Sequence, residues 1–146
     1  MPDMPPFPAD PTELARFLDY RGRHRLPGLL GIEIVSLDRG RCVMRMEVQR
    51  RHEASHGYLH AATVVALADT AAGYGCVASL PDGAVGFTTI ELKSNHTSTL
   101  LAGYMSAAAT MVHGGRTTQV WDAMITAEET GRKIGLFRNT QLILYP

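Results

Sequence analysis

A chain of 146 residues with 45% hydrophobic and 19% charged side chains is long enough for one core and too short for two ordinary domains. Its 14 lysines and arginines balance 14 acids, which argues against a surface devoted to nucleic acid. At this length folding buries roughly two-thirds of the surface of the unfolded chain, so neither a metal nor a disulfide is required to hold the domain together.

The opening, MPDMPPFPADP, holds five of the eight prolines with little apolar material between them. Residues 1–10 are therefore expected to form an extended or disordered lead to a single domain over 11–146. No cationic start is followed by an apolar run, so the opening resembles no signal or transit peptide, and a cytoplasmic location is the expectation. Asp10-Pro11-Thr12-Glu13 then supplies an N-cap aspartate, proline at the first helical position and an acid in the first turn. With Leu14, Phe17 and Leu18 on one face, this predicts a short helix from Pro11 to Tyr20. Arg16, Arg21, Arg23, His24 and Arg25 read as a solvated helix end.

Ile32–Leu37 and Cys42–Val48 are strand-like runs joined by the hairpin signal Asp38-Arg39-Gly40-Arg41. The polar segment RRHEASHGYLH, with three histidines, leads into an alanine-rich run read as one long helix over residues 61–79, ended by Pro81-Asp82-Gly83. That run approaches the ~20 residues of a membrane span. Asp69 near its middle makes a buried helix of a soluble domain the better reading, with no membrane partner. Four further strands, Gly86–Asn95, Gly103–His113, Thr117–Ala127 and Leu136–Leu144, are separated by glycine-containing turns and read as a meander. The order implies an α+β domain, an antiparallel sheet covering a helix. Cys42 and Cys76 have no ligand spacing and are expected to be buried free thiols.

Asp69 lies inside AATVVALADTAAGYGCVA, a helix otherwise built of small and apolar residues. A buried unpaired carboxylate is costly, so Asp69 is either hydrogen-bonded for structural reasons or kept for function. The N-terminus of the same helix offers free N–H groups and a positive dipole end, which suit a developing oxyanion. Eight residues separate Ala61 from Asp69, about 12 Å along the axis at ~1.5 Å per residue. One chain's carboxylate is thus too far from its own helix entrance to act on the same carbonyl. Two antiparallel helices from two subunits would bring Asp69 of one to the His60-Ala61 entrance of the other, a site shared across a two-fold dimer.

Gly57-Tyr58-Leu59-His60-Ala61-Ala62, then Leu67-Ala68-Asp69-Thr70-Ala71, Thr89-Ile90-Glu91-Leu92-Lys93-Ser94-Asn95 and His113-Gly114-Gly115-Arg116-Thr117 together resemble the hotdog-fold acyl-CoA thioesterases of the phenylacetate-degradation (PaaI-like) type, over about residues 50–146. The resemblance implies a sheet wrapped around a long central helix, a homodimer or homotetramer with its active site at the dimer interface, and hydrolysis of an aryl- or medium-chain acyl-CoA. CoA is then part of the substrate, and no cofactor is expected. Carried over by position, Asp69 is the nucleophile or general base, Ala61 offers the N–H that polarises the thioester oxygen, His60 is the motif histidine, and Thr89 stands at or beside a hydroxyl that orients water. Gly57, Ala62, Ser55, His56 and Arg116 are the residues expected to bind substrate.

Two departures stand out. The family's usual Asn or Gln six residues before the motif histidine is Ala54 here, so Ser55 or His56 substitutes, or the oxyanion relies on backbone alone. After Asn95 the family tends to read Phe-Leu-Arg-Pro, and this chain reads His96-Thr97-Ser98-Thr99. On their own residues, His60 also suits a plain helix cap, His52 and His56 suit surface positions, Arg116 a solvated turn, and no metal site is expected. The missing donor at Ala54 motivates an alternative, a non-catalytic acyl-CoA-binding protein acting as carrier or sensor. A hotdog hydratase finds only a poor match in Glu53 with His56 or His60.

Overall fold

The computed structural model describes residues 6–146. The half of the proline-rich lead formed by residues 1–5 lies outside them, and in the other half Phe7 packs edge-on against Phe17 with ring centroids 6.0 Å apart. The first helix, α1 (Pro11–Gly22), starts where the sequence signals it, with the Asp10 side chain accepting from the Glu13 N–H at 2.9 Å. It runs past the expected end at Tyr20, and the arginine-rich stretch turns into a second short helix, α2 (Leu26–Leu30), which stops at Gly31 with φ +72°. Only a residue tolerant of the left-handed region ends a helix this way, with the Ile32 N–H reaching back to the Pro27 carbonyl.

Strands β1 (Glu33–Asp38) and β2 (Arg41–Val48) precede the long helix α3 (Ala61–Ala78). Strands β3 (Gly86–His96), β4 (Gly103–Gly114), β5 (Thr118–Ala127) and β6 (Lys133–Leu144) follow it. All six strands form one antiparallel sheet in the order β1-β2-β4-β5-β6-β3. This is the hotdog arrangement, with the sheet wrapped around α3 and a short N-terminal helix outside. The expected four-strand meander is corrected to three, β4-β5-β6. Residues 97–102 carry the chain back across the sheet to pair β4 with β2, and β3 is left at the far edge beside β6. Sequence adjacency favours neighbouring strands and does not detect such a crossing. Strand β6 also begins three residues earlier than expected, because Ile134 is fully buried.

The sheet's inner face and α3 bury each other. Alternate residues Cys42, Met44 and Met46 of β2, Met105, Ala107 and Ala109 of β4, and Trp121 and Ile125 of β5 meet Leu67, Ala68, Ala71, Ala72 and Cys76 of α3. Helix α3 is long and apolar enough to cross a membrane. Its burial under this sheet explains that composition, as the sequence reading expects. Close approach explains its glycines. A Cβ on Gly75 would stand 2.6 Å from the Trp121 ring, and one on Gly73 would stand 3.0 Å from the Phe87 ring. Both cysteines are free and buried, and burial pushes each thiol up to about 12.

Candidate active site

Two clusters of polar groups lie along α3. The first is at its N-terminus. His60 caps the helix, its Nδ1 accepting from the Ala62 N–H at 3.0 Å, and its carbonyl accepts from the Thr63 N–H at 2.9 Å. Among the described residues no acceptor is paired with the N–H of Ala61, which stands exposed at the helix entrance. A donor at the positive end of an 18-residue helix is suited to an oxygen that gains negative charge.

A closed turn delivers the chain to this entrance. The Ala54 N–H donates to the Tyr58 carbonyl at 2.7 Å, the Gly57 N–H donates to the Ala54 carbonyl at 2.9 Å, and Glu53 bridges Leu59. Gly57 has φ +87°, a conformation that requires glycine. Ser55, His56 and Gly57 form the exposed tip, and the His56 ring lies 5.6 Å from that of Tyr58.

His52 is a correction. It was expected at the surface, and the structure buries it at 1% exposure. The turn at Arg50–His52 folds the ring inward, where its Nδ1 accepts from the Gln49 N–H at 3.0 Å. Its carbonyl accepts from both the His60 N–H and the Thr63 hydroxyl, so His52 pins the entrance to α3. Burial, helped by the Arg51 charge, holds its pKa below the ordinary 6.5, against a backbone hydrogen bond to Leu30.

The second cluster surrounds Asp69, two turns along α3. Asp69 is half-buried, and the Asn139 side chain on β6 donates to its Oδ1 at 2.8 Å. Two residues further along the same inner face, Gln141 accepts from the Thr89 hydroxyl at 2.9 Å. Both Asn139 and Gln141 are fully buried, and Asn139 Oδ1 and Gln141 Nε2 have no protein partner. Buried polar atoms without partners are rare in folded proteins, and the one on Asn139 belongs to the amide that holds the Asp69 carboxylate. The register of β3 against β6 shifts between Thr89 and Glu91, a bulge immediately beside the Thr89 hydroxyl.

The structure therefore sets Asp69 against Asn139 and Thr89 against Gln141 two residues further along β6, and it groups His60, Ala61 and Ala62 with Ser55, His56 and Gly57 at the helix entrance, about 12 Å from Asp69 along the axis. Arg116 joins neither. It sits in the β4–β5 turn with its guanidinium 4.9 Å from the Tyr145 ring centre. That turn lies at the end of the sheet where Gln119 reaches the Ser79 carbonyl beyond the C-terminus of α3. Sequence reasoning missed Asn139 and Gln141. Their signal is two amides at alternate, inward positions of Phe137-Arg138-Asn139-Thr140-Gln141-Leu142-Ile143, where an apolar pair would be ordinary. Among the described residues no group of three or more His, Cys, Asp or Glu side chains is placed to hold a metal.

Comparison with known proteins agrees with the fold. The family model described as the thioesterase superfamily matches residues 56–134. The chain is 37% identical over 111 residues to 1,4-dihydroxy-2-naphthoyl-CoA hydrolase of Listeria monocytogenes, covering 76% of this chain and 89% of that protein. It is 31% identical over 113 residues to the acyl-coenzyme A thioesterase PaaI of Escherichia coli, covering 75% of each. Among solved structures, thioesterase HI1161 of Haemophilus influenzae superposes with a TM-score of 0.82 at 27% identity over 90% of both chains.

Proposed function

The chain belongs to the thioesterase superfamily, and from that premise we propose that it hydrolyses an aryl- or medium-chain acyl-CoA with Asp69 as its acting carboxylate. Thioester hydrolysis is the activity of the family; the acyl class and the role of Asp69 are our reading. The observation that carries it is a carboxylate oriented by the Asn139 amide in an otherwise apolar helix. The Listeria relative, named for a naphthoyl thioester, supports the aryl end of the range.

In this reading the thioester oxygen sits on the Ala61 N–H, where the helix dipole stabilises the developing charge. Asp69 either adds to the carbonyl carbon, expelling the CoA thiolate and leaving an anhydride that water cleaves, or takes a proton from the water that attacks. The ~12 Å axial separation supports a site whose two groups come from different copies of the chain, with paired α3 helices antiparallel. The long edge strand β3, with Ile90 and Leu92 exposed, supports a sheet-to-sheet homodimer. A homotetramer built from two such dimers, and a cytoplasmic location, belong to the same reading. His60 holds the entrance, Thr89 lies beside the reacting water, Gly57, Ala62, Ser55 and His56 border the thioester, and Arg116 meets CoA phosphate from the opposite end of a helix.

The test is thiol release from short, medium, long and aryl acyl-CoAs by wild type, Asp69→Ala and Asp69→Asn. Turnover lost in both variants with an unchanged far-UV spectrum supports the reading, and near wild-type rates in Asp69→Asn exclude both roles. Ala54, which lacks a side-chain donor at the entrance, favours one other outcome. Saturable binding of an acyl-CoA without thiol release would make the protein a carrier or sensor.

A further inference from the structure

Beyond Asp69, the inner surface changes from polar to apolar along one line. On β6 the inward residues after Asn139 and Gln141 end at Ile143, and on β3 Thr89 gives way to Phe87, which pairs with Ile143. On α3 the residues one and two turns on from Asp69 are Gly73 and Val77. The line ends in a cavity of about 340 Å³ whose walls include Phe7, Phe17, Tyr74, Val77 and Phe87. The charged side chains lining it are Arg21 and Arg25, and Arg21 lies over the Phe17 ring at 5.7 Å. Phe7, Phe17 and both arginines precede residue 56, where the family-model match begins, so the cavity is walled in large part by the N-terminal segment.

We propose that this cavity receives the far end of the acyl group and makes the enzyme selective for unbranched medium-chain acyl-CoAs; the proposal rests on Asp69 acting at the thioester. Its volume is at the lower end of the ~300–1,000 Å³ range of small-molecule sites, too small for a CoA and suited to the apolar part of its thioester. Gly73 and Val77 lie about 6 and 12 Å along the axis from Asp69. An extended chain advances about 1.2 Å per bond, so a tail of about 5 to 10 bonds beyond the carbonyl reaches the cavity. On this line Phe87 rests against the bare helix backbone of Gly73, its ring 3.0 Å from where a Cβ would stand, so a side chain there would move the ring that walls the cavity. A compact aryl group ends before the cavity and leaves it unused.

The experiment measures kcat/KM for butyryl-, hexanoyl-, octanoyl- and benzoyl-CoA, and Kd for the inert thioethers S-ethyl- and S-octyl-CoA, with the full-length wild type, Val77→Phe and Phe7→Ala. Each methylene entering the cavity is expected to raise wild-type kcat/KM about four-fold. Val77→Phe fills the cavity and Phe7→Ala removes a wall, so in each the octanoyl-to-butyryl ratio is expected to fall at least ten-fold. Phe7 is half-buried outside any helix or strand, so its variant remains informative if Val77→Phe does not fold. A flat wild-type profile, a preference for benzoyl-CoA, or a ratio unchanged in Phe7→Ala overturns the proposal while leaving the thioesterase intact. If no thioester is cleaved, the thioesterase reading fails and the thioethers judge the cavity alone. Tighter binding of S-octyl- than S-ethyl-CoA, lost in Phe7→Ala, upholds it, and equal affinities overturn it.

Discussion

The Asn139 amide nitrogen stands 2.8 Å from Asp69 Oδ1, joining β6 to the middle of α3 across 70 residues of sequence. A carboxylate only accepts hydrogen bonds, so this contact fixes which way the amide faces and, with it, the rotamer of the acid. The other amide atom, Oδ1, is buried without a partner. An arrangement that leaves one end of a buried amide unpaired in order to hold a half-buried acid is a positioning device more than a stabilising one.

Asn139→Leu should therefore lower kcat by about 10²-fold, the scale of a misplaced catalytic group, with KM within about two-fold. The same change removes a partnerless polar atom from the core, and Asp69 retains access to solvent, so the thermal midpoint should hold. Steady-state kinetics and a melting curve on one sample decide it. Loss of stability with unchanged kcat would make Asn139 a structural residue only.

Gly75 and Gly73 should respond differently to the same substitution. A Cβ on Gly75 meets two Trp121 ring carbons at 2.6 and 2.7 Å. That ring is fully buried and tied through its N–H to Gln119 at 2.9 Å, so it has nowhere to move. Gly75→Ala should cost about 1–3 kcal/mol by overpacking, exceeding the ~1 kcal/mol that alanine gains in helix propensity. A Cβ on Gly73 meets the tip of the half-buried Phe87 ring at 3.0 Å, which can tilt, so Gly73→Ala should stay within about 1 kcal/mol of wild type. Trp121 is the single tryptophan, and urea unfolding followed by its fluorescence measures both.

These cases mark how far the sequence could be read. Asp10-Pro11 announces α1, the alanine-rich run announces α3, and strand-like runs between glycine-containing turns announce the strands, because each signal is local. Asp69 is conspicuous as an acid among small apolar residues. Its partner is not, because which inward residue of β6 meets which turn of α3 depends on sheet order, and β3 breaks the order of the chain by moving to the edge. His52 was misplaced for a related reason. Its burial follows from the Arg50–His52 turn, which brings the ring to the Leu30 backbone and which no spacing encodes.

His52 should make the fold sensitive to mild acid. Burial, with the Arg51 charge, holds its folded-state pKa below 6.5, so below pH 6.5 the unfolded chain binds a proton that the folded chain resists. The stabilisation is fully present above pH 6.5 and declines as pH falls from there through the lowered folded value. Melting temperatures between pH 7.5 and 5.5 should fall in wild type and fall less in His52→Gln. Parallel curves would place the proton uptake elsewhere.

Ala54 is the position at which a gain of function can be sought. Its N–H and carbonyl are both committed to the turn, to Tyr58 at 2.7 Å and Gly57 at 2.9 Å. The backbone is thus pinned while the half-buried side chain is free to change. A glutamine there would add an amide donor beside the Ala61 N–H, and one donor to an oxyanion is worth about 10²–10³ in rate where it is optimally placed. Ala54→Gln should raise kcat by at least about 10-fold while KM changes little, since the added hydrogen bond strengthens only as charge develops on the thioester oxygen. An unchanged kcat with an unchanged melting temperature would mean that the helix N-terminus alone stabilises that oxygen, and that the alanine reflects a site already complete without the side chain.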